Sequence, residues 1–159
     1  MTAAPTILPV GECGSWIWSP APPRSLGCRA PEPARSSVPL RRILLIDDTR
    51  EIAELLTFAL RDHGYEVFAE GYSAAVNELV REHVADALVL DCSAYAMSEA
   101  LFDALRHHPD HAELPVVIIS DTPEMADASL RSRNARRVLL VPKPFTGAQV
   151  ARALHDLLG

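Results

Sequence analysis

Lysine is almost missing from this chain. Of fifteen basic residues fourteen are arginine, and the one lysine, Lys143, sits between two prolines in LLVPKPF (139–145). An excess of positive charge is missing too: the formal net charge is −6, which argues against a nucleic-acid-binding surface spread over the molecule, so no direct nucleic-acid partner is expected. Cysteine is scarce, with Cys13, Cys28 and Cys92 in no C-x-x-C pair, so neither a zinc site nor a disulfide framework is supported. No uncharged apolar run approaches a membrane span, and the N-terminus MTAAPTILPVGECGSW lacks the basic start and apolar stretch of a secretory signal. A soluble cytoplasmic protein with no membrane partner is the expectation. The chain also has no G-x-x-x-x-G-K-[ST] nucleotide loop and no G-x-S-x-G elbow, which removes the commonest signatures of P-loop enzymes and α/β hydrolases.

What is there falls into two unequal parts. Residues 1–39 hold eight of the thirteen prolines and three of the seven glycines with little apolar periodicity. Such a segment buries too little surface to offset its ordering entropy, and a disordered Pro-rich tail is expected. Within it SWIWSP (15–20) gathers Trp16, Ile17 and Trp18, the composition of a short docking motif. Residues 40–159 change texture abruptly and read as one compact domain.

There, apolar runs alternate with amphipathic stretches. The strand-like runs are RILLID (42–47), YEVFA (65–69), ALVLD (87–91), PVVIIS (115–120) and VLLV (138–141). Between them, helical spacing joins Ile52, Leu55, Leu56 and Ala59, then Val76, Leu79 and Val80, then Leu101, Phe102 and Leu105. A weaker fourth helix carries Met125 and Leu130, and the last one Val150, Leu154, Leu157 and Leu158. Five strands alternating with five helices predict an α/β fold with a parallel sheet and right-handed crossovers. Runs without polar alternation in the first, third and fourth strands predict a sheet covered on both faces.

In such a sheet, ligands bind beyond the carboxyl ends of the strands. The residues there are Asp47 and Asp48 after the first strand, Asp91 ending the third, Ser120 and Asp121 at the fourth, and Lys143 after the fifth. Acids held this close repel one another unless a cation offsets them. Oxygen donors without cysteine or clustered histidine suit Mg²⁺, while a lysine and a hydroxyl complement phosphoryl oxygens. The chemistry pointed to is phosphoryl transfer.

With these residues in view, the segment from about 41 to 158 resembles the receiver domain of two-component response regulators. LLIDD matches that family's acid pair, LVLD its phosphoacceptor strand, VVIIS its hydroxyl strand and KPF its lysine turn. The spacings, 43 residues from Asp48 to Asp91, 29 to Ser120 and 23 more to Lys143, match its layout. The resemblance implies a flavodoxin-like doubly wound fold, with a five-stranded parallel sheet of order 2-1-3-4-5 flanked by five helices. It further implies that Asp91 is the nucleophile taking a phosphoryl group from a histidine kinase or phosphotransfer protein. Asp47, Asp48 and Asp91, with the backbone carbonyl of Ser93, would hold Mg²⁺. Ser120 would be the switch hydroxyl, Lys143 the phosphate contact, and Lys143-Pro144 a cis bond.

With the fifth helix at the end of the sequence, the expectation is a stand-alone receiver signalling through a downstream protein target. It is a phosphoacceptor rather than an enzyme, at most phosphorylating and dephosphorylating itself. The alternative is a receiver-like interaction module that works without phosphate. A phosphatase of the haloacid-dehalogenase type would carry a second aspartate two residues after its nucleophile, where this chain has Ser93.

The sequence also departs from the family pattern. Tyr95 and Glu99 stand where a proline and a glycine are usual, Asp121 follows the hydroxyl where a small residue is favoured, and Leu140 occupies the place of an aromatic that changes rotamer on activation. RSRNARR (131–137) suggests a basic face for a partner or a homodimer, against the simpler reading of a solvated cluster. HHPDH (107–111) reads as a solvated turn, and Cys92 as a packed thiol whose pKa nearby acids raise.

Overall fold

A computed structural model describes residues 39–93 and 95–159. The tail expected over residues 1–39, with its SWIWSP stretch, lies outside the described residues except for Pro39. The elements alternate without exception: β1 (Arg42–Ile46), α1 (Arg50–Asp62), β2 (Glu66–Glu70), α2 (Val76–His83), β3 (Ala87–Asp91), α3 (Tyr95–His107), β4 (Val116–Ser120), α4 (Pro123–Ser132), β5 (Val138–Pro142) and α5 (Gly147–Leu158). All strand pairs are parallel, in the order β2-β1-β3-β4-β5, as the resemblance implied. The strand bounds read from the sequence hold to within one residue.

Strand periodicity explains why those runs show no polar alternation. Successive residues point to opposite faces, and both faces are covered. Ile43 and Leu45 of β1, Val89 of β3 and Val117 and Ile119 of β4 pack with Ala53, Leu56 and Leu60 of α1 and Val150 and Leu154 of α5. Their neighbours Leu44, Ile46, Leu88, Leu90, Val116 and Ile118 pack on the other side with Val76 and Val80 of α2 and Leu101, Phe102 and Leu105 of α3. The central strands β3 and β4 are buried throughout, whereas the edge strands β2 and β5 are half exposed.

Local chemistry fixes the element ends near the site. Pro142 is admissible at the end of β5 because this is an edge strand. Lys143 N–H donates to Ser120 O at 2.8 Å, so the alternate position 142, which has no N–H to give, faces away from β4. α5 then starts with a capping box. Gln149 N–H donates to Thr146 Oγ1 at 3.3 Å, and Thr146 N–H donates to Gln149 Oε1 at 2.7 Å. Between β5 and this cap lies the Lys143-Pro144 peptide, which is cis.

Candidate functional site

The parallel register sets where the polar residues emerge. Asp91 is the last residue of β3 and pairs with Ile119 of β4, so Ser120 stands one step further along the neighbouring strand. Asp47 follows β1, which lies on the other side of β3. Asp91, Asp47 and Ser120 are 2%, 5% and 0% exposed, a depth at which carboxylates are rare unless paired.

Lys143 supplies the pairing. Its Nζ lies 2.6 Å from Asp91 Oδ1 and donates to Ser93 Oγ at 2.7 Å. Ser93 N–H donates to Asp91 Oδ2 at 3.2 Å, which fixes the second oxygen. A compact ammonium fits between a carboxylate and a hydroxyl in this way; a guanidinium would need a wider, planar space. Ser120 Oγ accepts from Thr122 N–H at 3.1 Å and lies 3.5 Å from Thr122 Oγ1, so its hydroxyl is held at the turn into α4. Asp121, between them, is exposed.

The acid pair divides its tasks. Asp47 Oδ1 accepts from Thr49 N–H at 2.7 Å, while its Oδ2 is buried without a hydrogen-bond partner. Burial raises the Asp47 pKa above 3.8 and the Asp91 charge adds to the rise, whereas the Thr49 amide and Lys143 oppose it. An orphaned carboxylate oxygen in a site of hard oxygen donors fits Mg²⁺, which needs only one or two carboxylates because it retains waters. Asp48 is exposed and its Oδ1 accepts from Tyr72 N–H at 3.0 Å. Asp47 and Asp91 are close enough for the Asp91 charge to act on Asp47, and Asp48 follows Asp47 at the mouth of the same edge. A cleft of about 640 Å³ opens beside Asp47 and Asp48, with Phe58 and Thr57 of α1 on one wall and Gly71 on the other.

Three residues at this corner carry no motif in the sequence. Tyr72 donates its phenolic hydroxyl to the main-chain carbonyl of Asp91, and Ser98 Oγ of α3 donates to the same carbonyl at 3.0 Å. Gly71 makes the neighbouring approach available, because a Cβ there would stand 2.9 Å from Asp48 Oδ1. Only the glycine left a trace, as an isolated Gly after a strand run.

Elsewhere two readings change. His111 is not solvated but 6% exposed, with Nδ1 2.7 Å from Asn77 Oδ1 of α2 and its ring stacked on His108. Arg133 is not part of a solvated cluster. Its Nε and Nη2 meet Asp103 Oδ1 and Oδ2 at 2.8 and 3.1 Å, and Nη1 meets Glu99 Oε1 at 3.1 Å. Cys92 is buried, and its pKa is pushed up to about 11, chiefly by burial rather than by the Asp91 charge.

Comparison with known proteins bears on the family and the fold. The family model described as the response regulator receiver domain matches residues 43–155. The phosphate regulon transcriptional regulatory protein PhoB of Klebsiella pneumoniae is 32% identical over 120 residues, which cover 74% of this chain and 52% of that protein. The chain thus spans about half the length of that relative. Among solved structures, a sensor protein from a Polaromonas species superposes with a TM-score of 0.68 at 24% identity, over 76% of this chain and 97% of that one. The chemotaxis response regulator CheY4 of Vibrio cholerae superposes with a TM-score of 0.65 at 19% identity, over 75% and 99%. These two show the likeness of fold. With the family model matched over most of its length and its sheet in the expected order, the chain belongs to the response regulator receiver domain family.

Proposed function

We infer that the protein accepts a phosphoryl group on Asp91 from a histidine kinase or phosphotransfer protein and signals through a downstream protein target in the cytoplasm. The observation that supports this best is the environment of Asp91. A carboxylate 2% exposed at a strand end is held by the Ser93 amide on one oxygen and faced by Lys143 Nζ at 2.6 Å on the other, with the Ser120 hydroxyl on the adjacent strand. In phosphoryl transfer the protein mainly positions the acceptor and meets charge on the transferred oxygens. Asp91 offers the attacking oxygen, and Lys143 and Ser120 offer donors to the group that arrives. Asp47, Asp48, Asp91 and the Ser93 carbonyl would hold Mg²⁺. When bound, Mg²⁺ supplies charge neutralisation for phosphoryl oxygens.

The test is incubation of the full chain with Mg²⁺ and acetyl phosphate, read by intact mass. The expected result is a gain of one phosphoryl group, labile to hydroxylamine and absent in Asp91→Asn. No Asp91-dependent gain at saturating donor would sink this reading.

One observation favours the second reading, an interaction module that works without phosphate. Glu99, at the family's glycine position, accepts from Ser129 Oγ at 2.5 Å and pairs with Arg133 at 3.1 Å, linking α3 to α4. A partner that binds equally well to wild type and Asp91→Asn would decide for it.

A further inference from the structure

We propose that Tyr72 and Ser98 are positioning residues for the phosphoacceptor, acting together as a two-hydroxyl clamp on the main-chain carbonyl of Asp91. The inference rests on the phosphoacceptor reading of Asp91 given above.

The β1–β3 ladder ends at the pair Ile46–Leu90, so Asp91 is the first residue of β3 beyond its rungs. On the β4 side the ladder runs on, with Cys92 N–H donating to Ile119 O at 2.8 Å. In a parallel strand alternate residues face opposite neighbours, so Asp91, next to Cys92, turns its carbonyl toward β1, the side where pairing has stopped. A buried carbonyl must be satisfied somehow. Two side chains from different elements do so: Tyr72, from the loop after β2, through its hydroxyl, and Ser98, from α3, through Oγ at 3.0 Å. The two hydroxyl oxygens are 3.3 Å apart. Ser98 is 1% exposed, and no solvent competes for its proton.

The clamp acts on the reacting carboxylate through the backbone. Holding the carbonyl fixes the peptide plane between Asp91 and Cys92 and with it the start of the loop that carries Ser93. That residue's amide holds Asp91 Oδ2, and its hydroxyl holds Lys143. A second link runs through Tyr72 itself. Its backbone N–H donates to Asp48 Oδ1 at 3.0 Å while its phenol donates to the Asp91 carbonyl, so one residue ties the acid pair to the acceptor. Near-attack geometry is sensitive to displacements of an ångström or less, which is why a hydroxyl that never touches the phosphoryl group can govern its transfer.

The substitutions Tyr72→Phe and Ser98→Ala each delete one oxygen. Tyr72→Phe keeps the ring and the amide contact to Asp48. Measured on the full chain with acetyl phosphate and Mg²⁺, the double variant is expected to lose about tenfold in limiting labelling rate, with the half-saturating Mg²⁺ and donor concentrations unchanged within about twofold. Ser98→Thr, which restores a hydroxyl, should recover part of the loss. In parallel, the Asp91 carbonyl ¹³C resonance should move upfield in each variant, reporting the lost hydrogen bonds directly. A wild-type limiting rate in the double variant overturns the proposal, as does a lost rate with an unmoved carbonyl resonance. A comparable rate loss in a variant of equal thermal stability remote from the clamp, such as Val84→Ala at the exposed end of α2, also overturns it. Failure of the unmodified chain itself to be labelled overturns the phosphoacceptor reading instead, and is told apart because the reference, not the variants, is then silent.

Discussion

Gly147, the first residue of α5, meets α1 so closely that its missing side chain is a structural requirement. A Cβ built there would lie 2.3 Å from Ala59 Cβ, far inside any contact real carbon atoms make, and the opposing atom is fixed to its own helix backbone rather than at the end of a flexible chain. Gly147→Ala must therefore push α1 and α5 apart. Overpacking of this kind costs about 1–3 kcal/mol. Alanine in place of glycine returns about 0.5–1 kcal/mol through the unfolded chain. At the middle of these ranges the net loss is about 1 kcal/mol, which for a domain of this size is a fall in Tm of about 4 °C. Ala59→Gly alone should cost about 1 kcal/mol in helix propensity. The swap Ala59→Gly with Gly147→Ala moves the methyl across the interface without a clash, so it should be more stable than the sum of the single changes by about 1–3 kcal/mol. Urea unfolding of the four proteins gives the cycle. A Gly147→Ala variant as stable as wild type, or singles that simply add, would refute the packing argument. The contact matters for function because the cap of α5 follows directly on the turn that carries Lys143.

Three further outcomes are expected. Arg133→Ala should lose about 1–2 kcal/mol in urea unfolding, since a two-pronged contact to Asp103 is stronger than a single surface pair yet remains partly solvated, and Asp103→Asn in the same protein should add little more. For His111, burial first and then the charge of His108 lower the pKa below 6.5, so the unfolded chain takes up this proton at higher pH than the folded one. The stability it confers is therefore present above about 6.5 and drains away as pH falls toward the lowered folded value; unfolding curves from pH 7.5 to 5 should show a steeper loss for wild type than for His111→Gln, and parallel curves would refute this. Cys92, with its pKa pushed up to about 11 from 9.0, should alkylate with iodoacetamide at pH 8 about a hundredfold more slowly in the native protein than after unfolding, assigned by peptide mass; equal rates would show the thiol to be accessible.

The strand-end residues are legible in the sequence for a physical reason. Runs such as ALVLD and VVIIS are too apolar to be anything but central strands, and once five such runs alternate with helices the sheet dictates which residues share an edge. Asp47, Asp91, Ser120 and Lys143 can be placed from that alone. What cannot be placed is whatever depends on the path of a loop or the roll of a helix. Tyr72 and Ser98 look like an ordinary loop aromatic and an ordinary helix serine, and only the folded positions of the β2–α2 loop and α3 bring both hydroxyls to one carbonyl. His111 sits in a polar run, yet its partner Asn77 comes from α2, 34 residues earlier. Arg133 sits in a basic run, yet its partners Glu99 and Asp103 lie on another helix. Charge patterning along the chain reports local composition and says nothing about a counter-charge supplied from thirty residues away.

Two departures from the family pattern meet in one region of the fold, and together they say something that neither says alone. Glu99 replaces a glycine at the point where α3 passes α4, and its carboxylate joins Ser129 and Arg133. Arg133 carries the connection on to Asp103, one turn further along α3. Leu140 replaces the aromatic and, half-buried, lines an open cleft between α4 and β5 together with Leu130, Ala135 and Val138, with no ring to turn. Under the phosphoacceptor reading proposed above, a signal from Asp91 would meet an α4 whose C-terminal end is held to α3 by charge and whose residues facing β5 are aliphatic. Sliding α4 along β5 would have to break two ion pairs that share one guanidinium. By contrast, Lys143 and Ser120 are held by polar contacts alone, Lys143 to Ser93 and Asp91 and Ser120 to the Thr122 amide. If Asp91 takes a phosphoryl group as proposed, a response confined to the β4–α4 and β5–α5 turns would leave both Arg133 ion pairs intact.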